Sequence, residues 1–244
     1  MLRALAAATI ALSLAAPAHA DWPADFDKLW TTRDDPKVLK ELYAQAEAVL
    51  KKDAADFEAN WRISALMNWD ANNYPDGQLK AGLGKAAWTR GDRAIQAKPD
   101  DVRGQYNAAV GIGLYSEGVG ILTALSQGLE GKFRSRNQAA LRIDKAYQNG
   151  GPQVLWGRYF SKLPWPKRDL DESIKVLRAA VADHPTNLRA KWFLAESLFA
   201  DGKRPEPKKL AEEVLAAPIG ADPAEDKKVK TEIDKWLKAH QGDF

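Results

Sequence analysis

Gly150–Gly202 reads GGPQVLWGRYFSKLPWPKRDLDESIKVLRAAVADHPTNLRAKWFLAESLFADG. Three helices parse from it. The first runs from about Pro152 to Lys162 and ends in the rigid turn Leu163-Pro164-Trp165-Pro166. The second, from about Asp169 to Asp183, sets Ile174, Leu177, Ala180 and Val181 at helical spacing on one face. His184-Pro185 closes it, because the residue before a proline is pushed out of the α region. The third starts near Asn187, whose side chain suits an N-cap, and carries Leu188, Trp192, Ala195 and Leu198 up to Gly202. Helix, short turn, helix, proline, helix predicts an all-α chain of stacked hairpins.

The same grammar extends upstream. Asp25 to Thr31 reads as a short helix or arm packed on the body. Asp35-Pro36 is a helix start, with Asp as N-cap and Pro at the first helical position. From Pro36 to Lys52 the residues Leu39, Leu42, Tyr43, Ala46, Val49 and Leu50 form one apolar stripe. A helix from Asp56 to Asp70 follows, then a turn cluster at Asn72–Gly77, then a helix from Gln78 to Ala97. Its Gly82, Gly84 and Gly91 let a neighbouring helix approach closely. Val102 to Gln127 is rich in Gly and Ala and free of Pro, and predicts one long buried helix kinked near Gly118–Gly120. A break at Gly128–Gly131, a helix from Lys132 to Tyr147 and a turn at Gln148–Gly151 complete this half.

Downstream, helices are expected at Lys208–Ala216 and Ala224–His240. The last is charged outside, with Val229, Ile233, Trp236 and Leu237 facing in, as the capping element of a solenoid requires. About ten helices are expected in all, with no strand, in one domain over residues 21–244.

Self-similarity supports this. Phe57–Ser64, Val102–Ala109 and Leu188–Ala195 share the pattern apolar, x, small, x, aromatic, x, apolar, small, and Gly150–Gly157 fits more loosely. The starts are separated by 45, 48 and 38 residues. The pattern resembles the tetratricopeptide repeat, a two-helix unit of about 34 residues. Ser173, Leu177, Ala180 and Pro185 occupy that repeat's small, large apolar, small and proline positions. The resemblance implies an α-solenoid of antiparallel helical hairpins. Three further features resemble the T-component family of tripartite ATP-independent periplasmic (TRAP) transporters. They are the Gly/Ala helix ending in Gly118–Gly131, the Asn149–Pro152 turn with Trp156-Gly157, and Leu163–Ile174. That resemblance implies a periplasmic accessory associating with a transporter's substrate-binding protein and holding a small hydrophobic ligand. Some members of that family are anchored through an N-terminal Cys, which this chain lacks, so a soluble version is implied.

Residues 1–20 read as a cleaved signal peptide. Arg3 is a short positive region, Ala4 to Ala16 an apolar stretch too short to span a bilayer, and Ala18-His19-Ala20 a cleavage site. The expected address is therefore periplasmic, with secretion as the second choice and no membrane span after cleavage. Cys is absent, which excludes disulfides and thiol chemistry and leaves packing to hold the chain together. The net charge of +3 is interspersed along the chain rather than gathered in a basic stripe, so no nucleic-acid partner is expected.

No catalytic motif, metal set or cofactor site is evident. His184 sits at a helix end, where a cation suits the dipole, and His240 lies in the tail. Gly111-Ile-Gly113 and Gly118-Val-Gly120 lack the strand and the Lys-Ser/Thr ending of a phosphate loop. The tetratricopeptide resemblance instead implies a concave groove lined by the first helix of each pair. It carries the binding role to Trp61, Asn68 and Trp69, to Tyr106, to Arg158, and to Arg189, Trp192 and Glu196. Glu58, Arg103, Lys162 and Phe199 fall in the same register. Taken one by one, Trp61, Tyr106 and Trp192 read first as space-fillers between repeats, since large aromatics usually pack in cores. The expected function is non-catalytic binding of a protein partner, a small hydrophobic ligand, or both. The alternatives are a general envelope scaffold and an enzyme of unfamiliar type.

Overall fold

A computed structural model describes residues 21–244. The expected signal peptide, with Ala18 and Ala20, lies outside them. The described residues form twelve helices and no strand. They are α1 Trp22–Trp30, α2 Pro36–Lys52, α3 Phe57–Ala71, α4 Gln78–Ala97, α5 Val102–Val119, α6 Ile121–Ser126, α7 Leu129–Ile143, α8 Tyr147–Lys162, α9 Leu170–Asp183, α10 Leu188–Ala200, α11 Pro205–Ala216 and α12 Pro223–Ala239.

Side-chain caps set half of the starts. Asp35, Asp56, Asp101, Asp169, Asn187 and Asp222 each accept a hydrogen bond from a backbone N–H of the following turn. Three expectations need correction. The single helix over Val102–Gln127 is two, because Gly120 adopts φ +88° and ends the ladder. The helix expected from Lys132 to Tyr147 spans Leu129 to Ile143; within the expected break only Gly128 takes a positive φ (+69°), and Gly131 lies inside the helix. The helix expected from Lys208 starts at Pro205, which serves as its first residue. In α8, Gln148, Asn149 and Gly150 hold positive φ, so the predicted turn interrupts the helix before Pro152. Asn187 Nδ2 holds that turn by donating to the Asn149 carbonyl (2.7 Å), and the His184 ring lies against Gly150.

Successive helices pack as hairpins, α3 on α4, α4 on α5, α5 on α7, α8 on α9, α9 on α10 and α10 on α11. The core is accordingly four clusters in file. They centre on Leu42 and Ile63, on Trp88 and Ile112, on Leu177 and Leu198, and on Val214 and Val229. Ser173, Leu177 and Ala180 are fully buried. The Ser173 hydroxyl donates to the Gly157 carbonyl (2.9 Å), and a side chain on Gly157 would strike Leu177. The small residues of the repeat are thus where helix meets helix. The 48-residue interval is the one that takes in α6.

The array curls until its ends meet. Arg33, between α1 and α2, donates to both carboxylate oxygens of Asp222 at 2.7 and 2.8 Å. Lys227 of α12 reaches Asp34 at 2.8 Å, and Lys228 reaches Asn73 at 3.0 Å. The last helix therefore does more than cap the array, as the sequence implied: it also joins the first hairpin.

Candidate binding chamber

Inside this curl lies a cavity of about 1320 Å³. Its wall draws on α1, α3, α4, α5, α6, α7, α8, α10 and α12. All eight residues implied by the repeat register lie on it: Trp61, Asn68, Trp69, Tyr106, Arg158, Arg189, Trp192 and Glu196. So do Arg103 and Lys162. Two residues of that register do not. Phe199 packs instead with Trp236, His240 and Phe244, with ring centroids 4.8 to 5.4 Å apart. Glu58 turns sideways to take a hydrogen bond from Trp61 Nε1 (2.8 Å) and to pair with Arg62 and Arg103.

Much of the wall is engaged with itself. Arg158 pairs with Glu196 and stands over Phe193. Arg189 bridges Glu225 (2.8 Å) and Glu232. Tyr106 packs edge-on against Tyr147 at 5.4 Å, and its hydroxyl lies where a Gly151 side chain would stand. Trp192 is buried against Trp236. Trp69 forms half of a sandwich: the Arg33 guanidinium lies 4.2 Å from its ring centre and 4.2 Å from that of Trp30. Asn68 donates to the Asn107 carbonyl (3.0 Å), while its buried Oδ1 has no hydrogen-bond partner among the described residues. For Tyr106 and Trp192 the space-filling reading therefore describes the geometry well.

The walls contributed by α6 and α7 lie outside the repeat register. Ile121, Ala124, Leu125, Leu129 and Phe133 come from them, and with Val110, Leu114 and Leu155 they make this end of the chamber apolar. The Tyr159 hydroxyl donates to Glu130 (2.8 Å), and burial followed by that carboxylate pushes its pKa up to about 12.

The geometry invites comparison with known proteins. No protein-family model matches this sequence, and no curated protein does. A solved structure, a thermophilic tetratricopeptide repeat protein from Thermus thermophilus, is similar with a TM-score of 0.64. The match covers 88% of this chain and 98% of that one at 17% identity. The fold is a tetratricopeptide-like α-solenoid. At that identity the likeness speaks to the fold alone.

Around this array's chamber, electrostatics follow from who neighbours whom. Burial would raise Glu58, but hydrogen bonds from Trp61 and Arg62 and the charge of Arg103 outweigh it and hold the carboxyl below its usual range. Burial likewise opposes the ionised form of Glu225, and Arg189 overcomes it. Lys228, over the Trp69 ring, is brought down to about 8 by burial, with Glu225 opposing and Arg189 assisting. The described residues hold no group of three or more metal-ligating side chains, and none of their helices is long and apolar enough to cross a membrane.

The depressed carboxylates fix a pH dependence. An acid whose pKa is lower folded than unfolded stabilises the fold fully above the unfolded value, near 4.5 for Glu, and less as pH falls through the folded one. Acid should therefore weaken the array: the urea unfolding midpoint should be lower at about pH 3.5 than at pH 7. Glu225→Gln should lower the neutral midpoint and flatten the acid limb. A midpoint independent of pH across this range would contradict these pairings.

Proposed function

We propose that this protein is a non-catalytic, exported binding protein whose curled array holds a small, largely apolar molecule. The observation that carries the reading is the join between Arg33 and Asp222 around a chamber of about 1320 Å³. The chamber is somewhat roomier than the usual small-molecule site, and such sites are walled, as this one is, by apolar and aromatic groups with a few polar ones. An extended peptide would want an open groove. Export rests on the leader pattern of residues 1–20. The transporter-accessory role, with a periplasmic substrate-binding protein as partner, rests on the sequence resemblance at Asn149–Gly157 and Leu163–Ile174. A general envelope scaffold is the alternative, and it would use the open side of the same chamber.

The direct test titrates the mature chain with N-phenyl-1-naphthylamine, a neutral apolar probe whose emission rises out of water. Saturable binding at one site per chain, with quenching of tryptophan emission, is the expected result. Emission that rises only linearly with probe would sink the ligand-carrying reading and return the scaffold to first place.

A further inference from the structure

The chamber's cations are almost all spoken for. Arg33, Arg62, Lys80, Arg103, Arg158 and Arg189 line it, and each holds a carboxylate within ion-pair distance. Lys162 also lines it and has no such partner among the described residues. Its backbone explains where it points. α8 turns Leu155, Arg158, Tyr159 and Lys162 onto the chamber at the i, i+3, i+4, i+7 spacing of one helical face. Lys162 ends that stripe beside Leu163, in a chamber that apolar residues of α5 and α6 also line.

An ammonium in such a position is open to an incoming ligand. Lys162 is exposed to the solvent of the chamber, and the protein around it lowers its pKa. The neighbouring Arg158 charge lowers it further; Glu196, Glu117 and Asp76 pull the other way but make no ion pair with it. A cation on the chamber wall and left without a counterion is what an incoming anion would satisfy. The last turn of a helix gives a lysine some support from the dipole, but that support does not require it to face a cavity.

We infer that Lys162 receives the head of the ligand, and that the ligand is an amphiphile carrying one negative charge on an apolar body. This rests on the ligand-carrying reading above and adds the ligand's class to it. The body lies against Leu114, Ile121, Leu125 and Leu155, and the head meets the ammonium. Acyl-chain acids and arylalkanoic acids share this chemistry.

The experiment is competition against bound N-phenyl-1-naphthylamine, using dodecanoate beside dodecanol and phenylacetate beside phenylethanol. In the parent chain at least one acid should displace the probe about tenfold more tightly than its alcohol, the scale of one charge-assisted contact out of bulk water. The pair that responds identifies the source as acyl or aromatic. In Lys162→Met the preference for the acid over its alcohol should vanish. Lys162→Arg should keep the preference. Equal displacement by acid and alcohol in the parent, or an undiminished preference in Lys162→Met, overturns the inference even if the probe binds. Failure of the probe and of every competitor to bind overturns the ligand-carrying reading, and this inference with it.

Discussion

Replacing Gly111 with alanine should lower the melting temperature by about 10 °C, and replacing it with valine should prevent folding. α4 and α5 touch backbone to backbone. A Cβ built on Gly111 would lie 2.5 Å from the Trp88 nitrogen and 3.0 Å from the Gly84 oxygen. One on Gly84 would lie 2.5 Å from the Tyr115 nitrogen. The pattern repeats seven residues along each helix: Gly91 would meet the Ala108 nitrogen at 2.7 Å, and Gly118 the Ala81 nitrogen at 2.5 Å. Nothing flexible stands in the way to rotate aside, so even one methyl must push two helix backbones apart. Overpacking of that kind costs about 3 kcal/mol or more, at roughly 2–4 °C of melting temperature per kcal/mol for a chain this long. Gly82→Ala is the matched control. Gly82 lies in α4 with no atom near its would-be Cβ, so alanine there should stabilise by about 0.5–1 kcal/mol through the unfolded chain. Thermal melts followed by circular dichroism decide it: a Gly111→Ala variant melting within about 2 °C of the parent would mean the helices are not in backbone contact. The chamber should feel the change too, since α5 also presents Val110 and Leu114 to it.

These glycines also show what a sequence does and does not reveal. Where a helix edge is written in side chains, the edge is legible: a cap, a proline or a turn cluster marks Pro36–Lys52 and Gln78–Ala97, and the structure has the same bounds. In Val102–Gln127 five glycines look alike. Gly111 and Gly118 are there for contact, Gly104 sits against Ile95, Gly113 faces the chamber, and Gly120 alone takes φ +88° and ends the helix. Composition cannot separate these roles, because each depends on what stands opposite. The chamber is legible to the same degree. A repeat register names the inner helices, and so it reaches Trp61, Tyr106, Arg158 and Trp192. It cannot name Arg33 or Asp222, which meet across 189 residues, nor the wall from α6, which belongs to no repeat. It misassigns Phe199 because Trp236 and Phe244 draw that ring into their own cluster.

Asp222→Ala should destabilise the array by about 3–4 kcal/mol, more than Arg33→Met does. The asymmetry follows from burial. Arg33 is 3% exposed, whereas Asp222 is 32% exposed. Removing the aspartate strands a guanidinium between the Trp30 and Trp69 rings, with only the Trp30 carbonyl (2.9 Å) left to receive it. Removing the arginine leaves a carboxylate that water can reach, and costs chiefly the stacking. The aspartate has a second duty, since it caps α12 by accepting from the Glu225 N–H (3.2 Å), a contribution of about 1 kcal/mol. Asp222→Asn separates the two: it keeps an acceptor for the cap and discards the charge, so its loss should fall between those of the other variants. Urea unfolding midpoints give the ranking, and a double-mutant cycle between positions 33 and 222 isolates the coupling from the cap. The same variants probe the chamber. If the join bounds it, weakening the join should speed dissociation of bound N-phenyl-1-naphthylamine while leaving the apolar wall untouched, so affinity should fall through the off-rate rather than the on-rate. An Asp222→Ala chain with the parent's midpoint and the parent's off-rate would mean that this ion pair does not hold the ends of the array together.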